Sequence, residues 1–390
     1  MKMELLYLLL PVAALTGWII GKRSLVHVSS KPNQSLSPDY YTGLNYLLNE
    51  QPDKAVDAFI RMLDASPDSV ETTLALGNFF RRRGEVDRAI RIHQNLIAKP
   101  NLSSVQKNQA LMALSQDYMC AGVLDRAETL LLDIVRNKDA NLKSSLKHLI
   151  DIYEREKDWK KAIEFSFRLQ RYSHRWMGKA MAHYYCELAQ EAWDAGRIRS
   201  SFKYLKLSLK QDSGCVRASY LQGFFEKKLN HYKAAMKAFK KIEYQDKEFL
   251  PEVLPDIIES YQHLKEEKGL QFYLQSLLNR VPSMGIVLAH AEHIKQQEGK
   301  SSALKFLGHY MKKYPTLKGL KHMMEYLVLQ FKGEVQSELT LLMQFVDRLL
   351  EHRSLYRCQH CGFSGKRLLW QCPSCRQWAS VKPVQHMEGE

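Results

Sequence analysis

The order of apolar and polar residues divides the chain into three stretches. From Leu5 to Ile20, sixteen consecutive residues carry no charge, and a helix formed by them would be apolar on every face. Residues 22–39 are rich in Ser, Pro and Asn and show no helical periodicity. From Tyr40 to about residue 352, apolar residues recur at helical spacing. This order predicts an apolar helix, a short linker and a long helical body.

The apolar helix, assigned to residues 1–21, is predicted to be a transmembrane anchor. Its length is close to the lower limit of about 17 residues for a helix that spans a bilayer. A secretory signal peptide would carry positive charge before the apolar stretch, whereas Lys22 and Arg23 follow it. The same pair places the bulk of the chain in the cytoplasm. The alternative, a buried helix of a soluble protein, fits less well with Pro11 and an all-round apolar surface.

The helical body contains a repeat of 34 to 39 residues. Small residues recur at this interval. Several of them have a glycine twelve or five residues earlier in the chain, and several have an aromatic residue nine residues earlier. A unit of two packed helices needs glycine at its turn and at its closest contact, and a small residue where the helices approach. The body therefore resembles the tetratricopeptide repeat rather than an ordinary helical bundle. The small residues are Ala55, Ala89, Ala127, Ala162, Ser201 and Ala235; the glycines are Gly43, Gly77, Gly223, Gly84, Gly122 and Gly196; the aromatic residues are Tyr46, Phe80, Tyr118 and Tyr153.

The predicted fold class is an all-α solenoid of tetratricopeptide repeats. Residues 40–245 contain about six repeats, and residues 246–352 contain two degenerate ones. In such a solenoid each unit buries its neighbour, and the stack leaves a concave groove that suits peptides or protein partners. The repeat pattern does not identify which residues of the groove would contact a partner.

A small metal-binding domain is predicted for residues 353–390. Its four cysteines form two C-x2-C pairs separated by ten residues: Cys358, Cys361, Cys372 and Cys375. Each pair can place two thiolates on one ion, and four thiolates close a tetrahedral site, so one structural zinc or iron ion is expected. A redox-active thiol pair is the alternative. Gly362 suits a left-handed turn, and Phe363, Trp370 and Trp378 are expected to cover the small core.

Composition and charge reduce the number of functions that the chain could have. The chain has 390 residues, of which 45% are apolar and 25% charged, and a net charge of +15. Nucleic acid, an anionic membrane surface and an acidic protein are the partners that this charge attracts. Cys120, Cys186 and Cys215 are expected to be buried core residues, and free thiols indicate a reducing compartment. The chain lacks a phosphate-binding glycine loop, an H-E-x-x-H motif and a nucleophile elbow, which favours a scaffold over an enzyme.

Three segments together resemble the lipopolysaccharide assembly protein B family of Gram-negative bacteria. They are LLYLLLPVAALTGW with the basic pair after it, the repeat segment LGNFFRRRGEVDRAIRIHQNL, and CQHCGF with WQCPSCRQW. The resemblance extends over essentially the whole chain. It implies a rubredoxin-like metal domain packed against a cytoplasmic repeat region, with the four cysteines named above as the metal ligands.

The resemblance also implies a function. The protein would be a single-pass protein of the bacterial inner membrane, with its N-terminus in the periplasm. It would act as an adaptor that helps a membrane-anchored AAA+ protease degrade the deacetylase that commits precursors to lipid A. Other lipopolysaccharide assembly proteins and anionic inner-membrane lipid are further expected partners, and a homodimer is compatible with the sequence. The alternative is a nucleic-acid-binding repeat scaffold with a zinc knuckle, but its basic residues are spread along the repeats rather than clustered.

Overall fold

The computed structural model describes residues 41–43, 45, 46, 54, 58, 70–137, 142–173, 176–281, 283–328, 330–351 and 353–384. The predicted anchor at residues 1–21, the linker at residues 22–39 and most of the first repeat lie outside these residues. None of the helices found among the described residues combines the length and apolar character needed to cross a bilayer. The chain divides into two compact units, residues 1–141 and 142–390.

The first unit contains two described helix pairs, formed by α1 (Val70–Arg83), α2 (Val86–Ile97), α3 (Ser104–Cys120) and α4 (Leu124–Arg136). The turn glycines Gly84 and Gly122 have φ values of +86° and +77°, which confirms the predicted helix–turn–helix units. A buried polar network also joins the three helices α1, α2 and α3. Arg81 lies 2.8 Å from Asp117, and the carboxylate of Asp117 also contacts the ring of His93. This network crosses a repeat boundary, so the sequence periodicity did not predict it.

The second unit contains six helix pairs among the described residues, followed by a small sheet. Three pairs precede residue 246, and three follow it, one more than the two degenerate repeats that were predicted. A 3₁₀ turn at Lys247–Phe249 joins the two halves. The helices are α5 (Leu142–Glu156), α6 (Trp159–Ser173), α7 (Gly178–Asp194), α8 (Ile198–Gln211), α9 (Val216–Lys228), α10 (Tyr232–Gln245), α11 (Leu250–His263), α12 (Glu267–Arg280), α13 (Met284–Glu298), α14 (Lys300–Lys313), α15 (Leu317–Val328) and α16 (Glu334–Glu351).

The predicted small positions are buried between helices wherever the structure describes them, and Ala55 lies outside the described residues. Ala89, Ala127, Ala162, Ser201 and Ala235 are all fully buried. The predicted contact glycine Gly223 of α9 packs against the ring of Phe239 on α10 in the same way. A Cβ atom added at Gly223 would lie 2.5 Å from that ring. The repeat pattern therefore reflects helix-to-helix distance, as expected for close-packed interiors.

Replacing Gly223 with alanine should therefore destabilise the second unit. The added methyl group must displace the Phe239 ring, and overpacking of this kind costs about 1–3 kcal/mol. Gly308 of α14 is the matched control, because its nearest neighbour, the Met323 side chain, would lie 3.9 Å from the new Cβ. Gly308→Ala should be neutral or slightly stabilising. Denaturant melts of both variants test this, and equal midpoints would contradict it.

The left-handed turn between paired helices does not always use glycine. Gly196 has it, with φ of +71°, but Lys157, Asn230 and Lys265 occupy the same turn with φ between +56° and +62°. Packing of the flanking helices imposes this conformation on residues that otherwise rarely adopt it. The sequence therefore predicted the left-handed turn only where the residue in it is glycine.

Three short strands follow the last helix and form an antiparallel sheet. The strands are β1 (Tyr356–Cys358), β2 (Ser364–Gly365) and β3 (Val381–Pro383), in the order β2-β1-β3. Tyr356 and Val381 are buried in its core together with Cys358 and Cys372, and Phe363 covers one side. The all-α prediction did not include this sheet, because strands of two or three residues are too short to show alternation.

Candidate metal centre and its seat on the repeats

Two turns of the same construction hold the four predicted cysteines. In the first turn, the amide of Gly362 donates to the carbonyl of Cys358 at 3.0 Å, and Gly362 has the predicted positive φ of +78°. In the second turn, the amide of Arg376 donates to the carbonyl of Cys372 at 2.8 Å, and Arg376 has φ of +58°. The two turns are therefore structural equivalents, although only the first one contains glycine.

The turns bring all four sulfur atoms together. Every Sγ lies within 4.8 Å of the others, with Cys358 and Cys375 at 3.7 Å and Cys361 and Cys372 at 3.6 Å. A tetrahedron with metal–sulfur distances of about 2.3 Å has edges of about 3.8 Å. The donor set and its spacing therefore fit one tetrahedral metal ion. Cys358 and Cys372 are buried, whereas Cys361 is exposed, so one side of the centre faces solvent.

The electrostatics of Cys358 and Cys375 also favour a cation. Burial alone would raise the pKa of Cys358, but its hydrogen bonds with Ser380 and with the amides of Cys361 and His360 lower it to about 6. At Cys375 the amide of Gln377 lowers the pKa, but burial and the neighbouring sulfurs outweigh it and raise the pKa to about 11. Without a cation, one thiolate thus opposes ionisation of the next.

Trp378 attaches this small domain to the first helices of three helix pairs in the second unit. We call the surface where the metal domain contacts the repeats its seat. The ring of Trp378 stacks on His183 of α7 with centroids 5.0 Å apart and meets Tyr184 of α7 edge-on at 6.0 Å. The guanidinium of Arg217, on α9, lies 6.0 Å from the ring centre. The indole Nε1 of Trp378 donates a hydrogen bond to Glu154 Oε1 of α5 at 2.9 Å. One side chain therefore contacts three successive helix pairs.

Trp370 makes a second apolar contact with the repeats. Its ring stacks on Phe249 at 5.6 Å and lies 6.2 Å from Tyr220 of α9. Leu368 and Trp370 pack against the hydrophobic core of the repeats. Trp370 and Trp378 were expected to cover the core of the metal domain. That expectation was wrong about their role, because both rings are used to attach the domain rather than to close it.

Charged pairs surround these rings. Arg376 lies 2.6 Å from Asp151 and 3.7 Å from Glu154, both on α5. A second group of charges involves Lys382 of β3, which lies 2.8 Å from Asp246 and 3.0 Å from Glu248. These side chains are partly exposed, so each pair stabilises the seat by about 1 kcal/mol or less, and mainly fixes its orientation.

A partly buried hydrogen bond adds to this contact. The hydroxyl of Tyr356 donates to Glu252 of α11 at 2.9 Å. The metal domain therefore contacts the first helices of four successive pairs, α5, α7, α9 and the start of α11. The family resemblance implied that the metal domain packs against the repeats, and these contacts confirm it. The residue pattern did not locate the contacts, because their acceptors are scattered Asp and Glu residues that resemble solvated helix faces.

His183 makes the stability of the seat dependent on pH. Burial, together with the nearby Arg217, lowers the pKa of His183 to about 3. In the unfolded chain its pKa is about 6.5, so the folded state binds fewer protons and loses stability as the pH falls from 6.5 toward 3. We expect the free energy of unfolding to fall by about 1 kcal/mol between about pH 7.5 and pH 5.5 through this group.

His183→Phe keeps a ring against Trp378 and removes the titration. Denaturant melts of the two proteins at both pH values should show a smaller pH effect in the variant. Identical losses in both proteins would show that His183 does not titrate as described, since all other groups are shared.

The other three cysteines are not part of this centre. Cys186 and Cys215 are buried, as predicted, and the fold brings them together. Cys120 was expected to be buried, and this was wrong: it ends α3 and is exposed. The helical pattern predicted the helix that contains Cys120, but it did not predict that this last residue of the helix faces solvent.

Comparisons with known proteins agree with both parts of the chain. The family model of the rubredoxin metal binding domain matches residues 356–383, and a tetratricopeptide repeat model matches residues 72–103. Among solved structures, a tetratricopeptide repeat protein from Parabacteroides merdae has a TM-score of 0.29 at 12% identity, covering 78% of this chain and 97% of its own. A similarity this low adds no argument.

The curated relatives match over nearly their full length. Lipopolysaccharide assembly protein B of Escherichia coli strain K12 is 34% identical over 388 residues, which is 99% of this chain and 100% of the relative. The protein of the same name from Haemophilus influenzae is 35% identical over 394 residues, covering 99% of each. These matches confirm the resemblance drawn from the three sequence segments, and the chain belongs to the lipopolysaccharide assembly protein B family.

Proposed function

We propose that this protein is a membrane-anchored cytoplasmic adaptor in lipopolysaccharide biosynthesis and that it catalyses no reaction itself. It presents the lipid A deacetylase to a membrane-anchored AAA+ protease and so limits the amount of deacetylase. Membership of the assembly protein B family, over the full length of its relatives, is the observation that carries this proposal. The repeats suit it, since stacked helix pairs offer extended surfaces for proteins.

The four cysteines hold one structural metal ion, zinc or iron, in this proposal. Cys358 and Cys361 supply two ligands from the first turn, and Cys372 and Cys375 supply two from the second. When bound, the ion joins the two turns and neutralises their thiolates. Four sulfur ligands leave no position for a reacting water, so the ion stabilises the domain that carries Trp370, Trp378 and Arg376.

The seated domain gives the adaptor a preformed shape. Since it occupies the first helices α5, α7 and α9, partners approach the surfaces that remain. One of these is the outer face of α16, where Leu341, Leu342, Phe345 and Leu349 each have about half of their surface exposed. Terminal repeats of solenoids usually have a polar outer face, and apolar patches on a surface are typical of protein contacts. This supports a binding protein over an enzyme.

The predicted anchor at residues 1–21 completes the proposal. An adaptor, a protease and a substrate held at the inner membrane meet at a raised effective concentration, which can increase avidity by 10² or more without new contacts. The net charge of +15 also favours the anionic cytoplasmic face of the membrane.

The test is the half-life of the deacetylase after protein synthesis is stopped. It should lengthen in cells that lack this protein, return to normal with the full chain, and remain long with a chain that lacks residues 1–21 at the same cellular level. Normal turnover in the deletion strain would overturn the adaptor role. Normal turnover with the shortened chain would remove the anchor from the mechanism.

A further inference from the structure

Two thiols outside the metal centre face each other in the core of the second unit. Cys186 lies on α7, and Cys215 is the N-cap residue of α9, in the next helix pair. Their sulfur atoms are 4.0 Å apart, and the two residues are 0% and 3% exposed. The Sγ of Cys186 also lies 3.4 Å from the hydroxyl of Ser208. Two cysteines this close differ from isolated core thiols, because each is within reach of the other.

The two thiols have different electrostatic surroundings. The hydrogen bond from Cys186 lowers the pKa of Cys215; burial opposes this, and the amide of Ala218 adds to the lowering. That amide belongs to the first turn of α9, where a helix favours negative charge. Burial raises the pKa of Cys186. Cys215 is thus the better nucleophile of the pair, and Cys186 is the thiol held beside it.

A cavity gives small molecules access to this pair. Cys215 and its neighbours Asp212 and Gly214 line it, together with Lys179 and Lys382. A peroxide is scarcely larger than water, so it needs no opening of the fold to reach such a wall. The cavity therefore gives Cys215 a route to solvent that Cys186 lacks.

We propose that Cys186 and Cys215 form a disulfide when the protein meets a hydroperoxide. The Cys215 thiolate attacks the O–O bond of hydrogen peroxide, which gives the sulfenic acid of Cys215 and hydroxide. The Cys186 sulfur, after losing its proton, attacks the sulfur of that sulfenic acid. The S–O bond breaks, and the oxygen leaves as water with that proton. In sum, two thiols and one peroxide give one disulfide and two waters, and a cellular thiol can reduce the bond again.

The distances allow this bond with small movements. The sulfur atoms must approach from 4.0 Å to about 2.05 Å, which side-chain rotation and a modest shift of the α9 N-terminus can supply. The bond would link α7 to α9 close to His183 and Arg217, which both contact Trp378. The disulfide thus lies beneath the seat of the metal domain and adds a covalent link between two of the helices that form it.

The experiment uses the purified full-length, metal-loaded protein in detergent. Hydrogen peroxide is added, free thiols are alkylated after denaturation, and peptides are mapped without reduction. We expect a peptide pair linked through Cys186 and Cys215, which disappears on reduction. In Cys186→Ser, a dimedone adduct should form on Cys215. In Cys215→Ser, Cys186 should stay alkylatable.

Cys120 provides the internal reference, because it is exposed and unrelated to the pair. The proposal requires the linked peptide to appear at peroxide concentrations that leave Cys120 mostly unmodified. Oxidation of Cys120 or of the metal-binding cysteines while Cys186 and Cys215 stay alkylatable would overturn it. So would a linked peptide that forms only after unfolding. Neither result depends on the adaptor role, so the two proposals are tested separately.

Discussion

Replacing Cys358 with serine should abolish the folded state of residues 353–384. These residues number fewer than about 40, too few for a core that is stable without a metal or disulfide. Metal binding at four-cysteine or related structural sites supplies about 10–16 kcal/mol of folding free energy. Loss of one buried sulfur ligand removes much of this. We expect metal content to fall from about one ion per chain to a small fraction, and amide exchange to become fast across the domain.

Metal analysis and hydrogen exchange of purified protein measure both effects. Cys120→Ser is the matched control, since it makes the same change at an exposed cysteine far from the centre in sequence. It should keep the metal and the exchange pattern of the unaltered chain. A Cys358→Ser protein that retains about one ion and full protection would show that the four thiols are not the metal site.

Replacing Trp378 with alanine should release the domain from the repeats without removing its metal. The ring is stacked on His183, and its indole donates to Glu154. Tryptophan-to-alanine changes at packed sites cost about 3–5 kcal/mol, and the partial exposure of Trp378 places the cost near the lower value. A cost of about 3 kcal/mol shifts the docking equilibrium by about 100-fold.

Hydrogen exchange can distinguish release from unfolding. In Trp378→Ala, helices α5, α7 and α9 should exchange faster where the domain covered them, while metal content stays at about one ion per chain. Phe272→Ala, at an aromatic residue of α12 that is 77% exposed, is the control and should leave this pattern unchanged. Unchanged protection of α7 in Trp378→Ala would mean that the tryptophan does not hold the domain.

The sequence predicted features that repeat, and the fold confirmed them. Gly84, Gly122 and Gly196 do adopt the left-handed turn, and the small residues of the repeat are buried where helices meet. The two C-x2-C pairs likewise identified the four sulfurs that the structure brings together. Each of these features has its cause within one repeat unit or one metal-binding turn: a backbone angle, the contact between two paired helices, or the spacing of two cysteines. Local causes leave a pattern in the sequence.

The features that the sequence missed depend on contacts between distant segments. Arg376 lies 225 residues from its partner Asp151, and nothing in either segment marks the pair. Glu154 looks like one more charged residue on a helix, yet it accepts hydrogen bonds from both Tyr184 and Trp378. The proximity of Cys186 to Cys215 likewise follows from how two helix pairs stack. Such contacts need the three-dimensional fold before they can be named.

The most direct test of the account joins the metal centre to the proposed adaptor role. It is the half-life of the lipid A deacetylase in cells whose only copy of this protein carries Cys358→Ser, compared with Cys120→Ser at the same protein level. We predict that the deacetylase is as stable with Cys358→Ser as in cells without the protein, and turns over normally with Cys120→Ser. Normal turnover with Cys358→Ser, in a protein shown to lack its metal, would contradict the account.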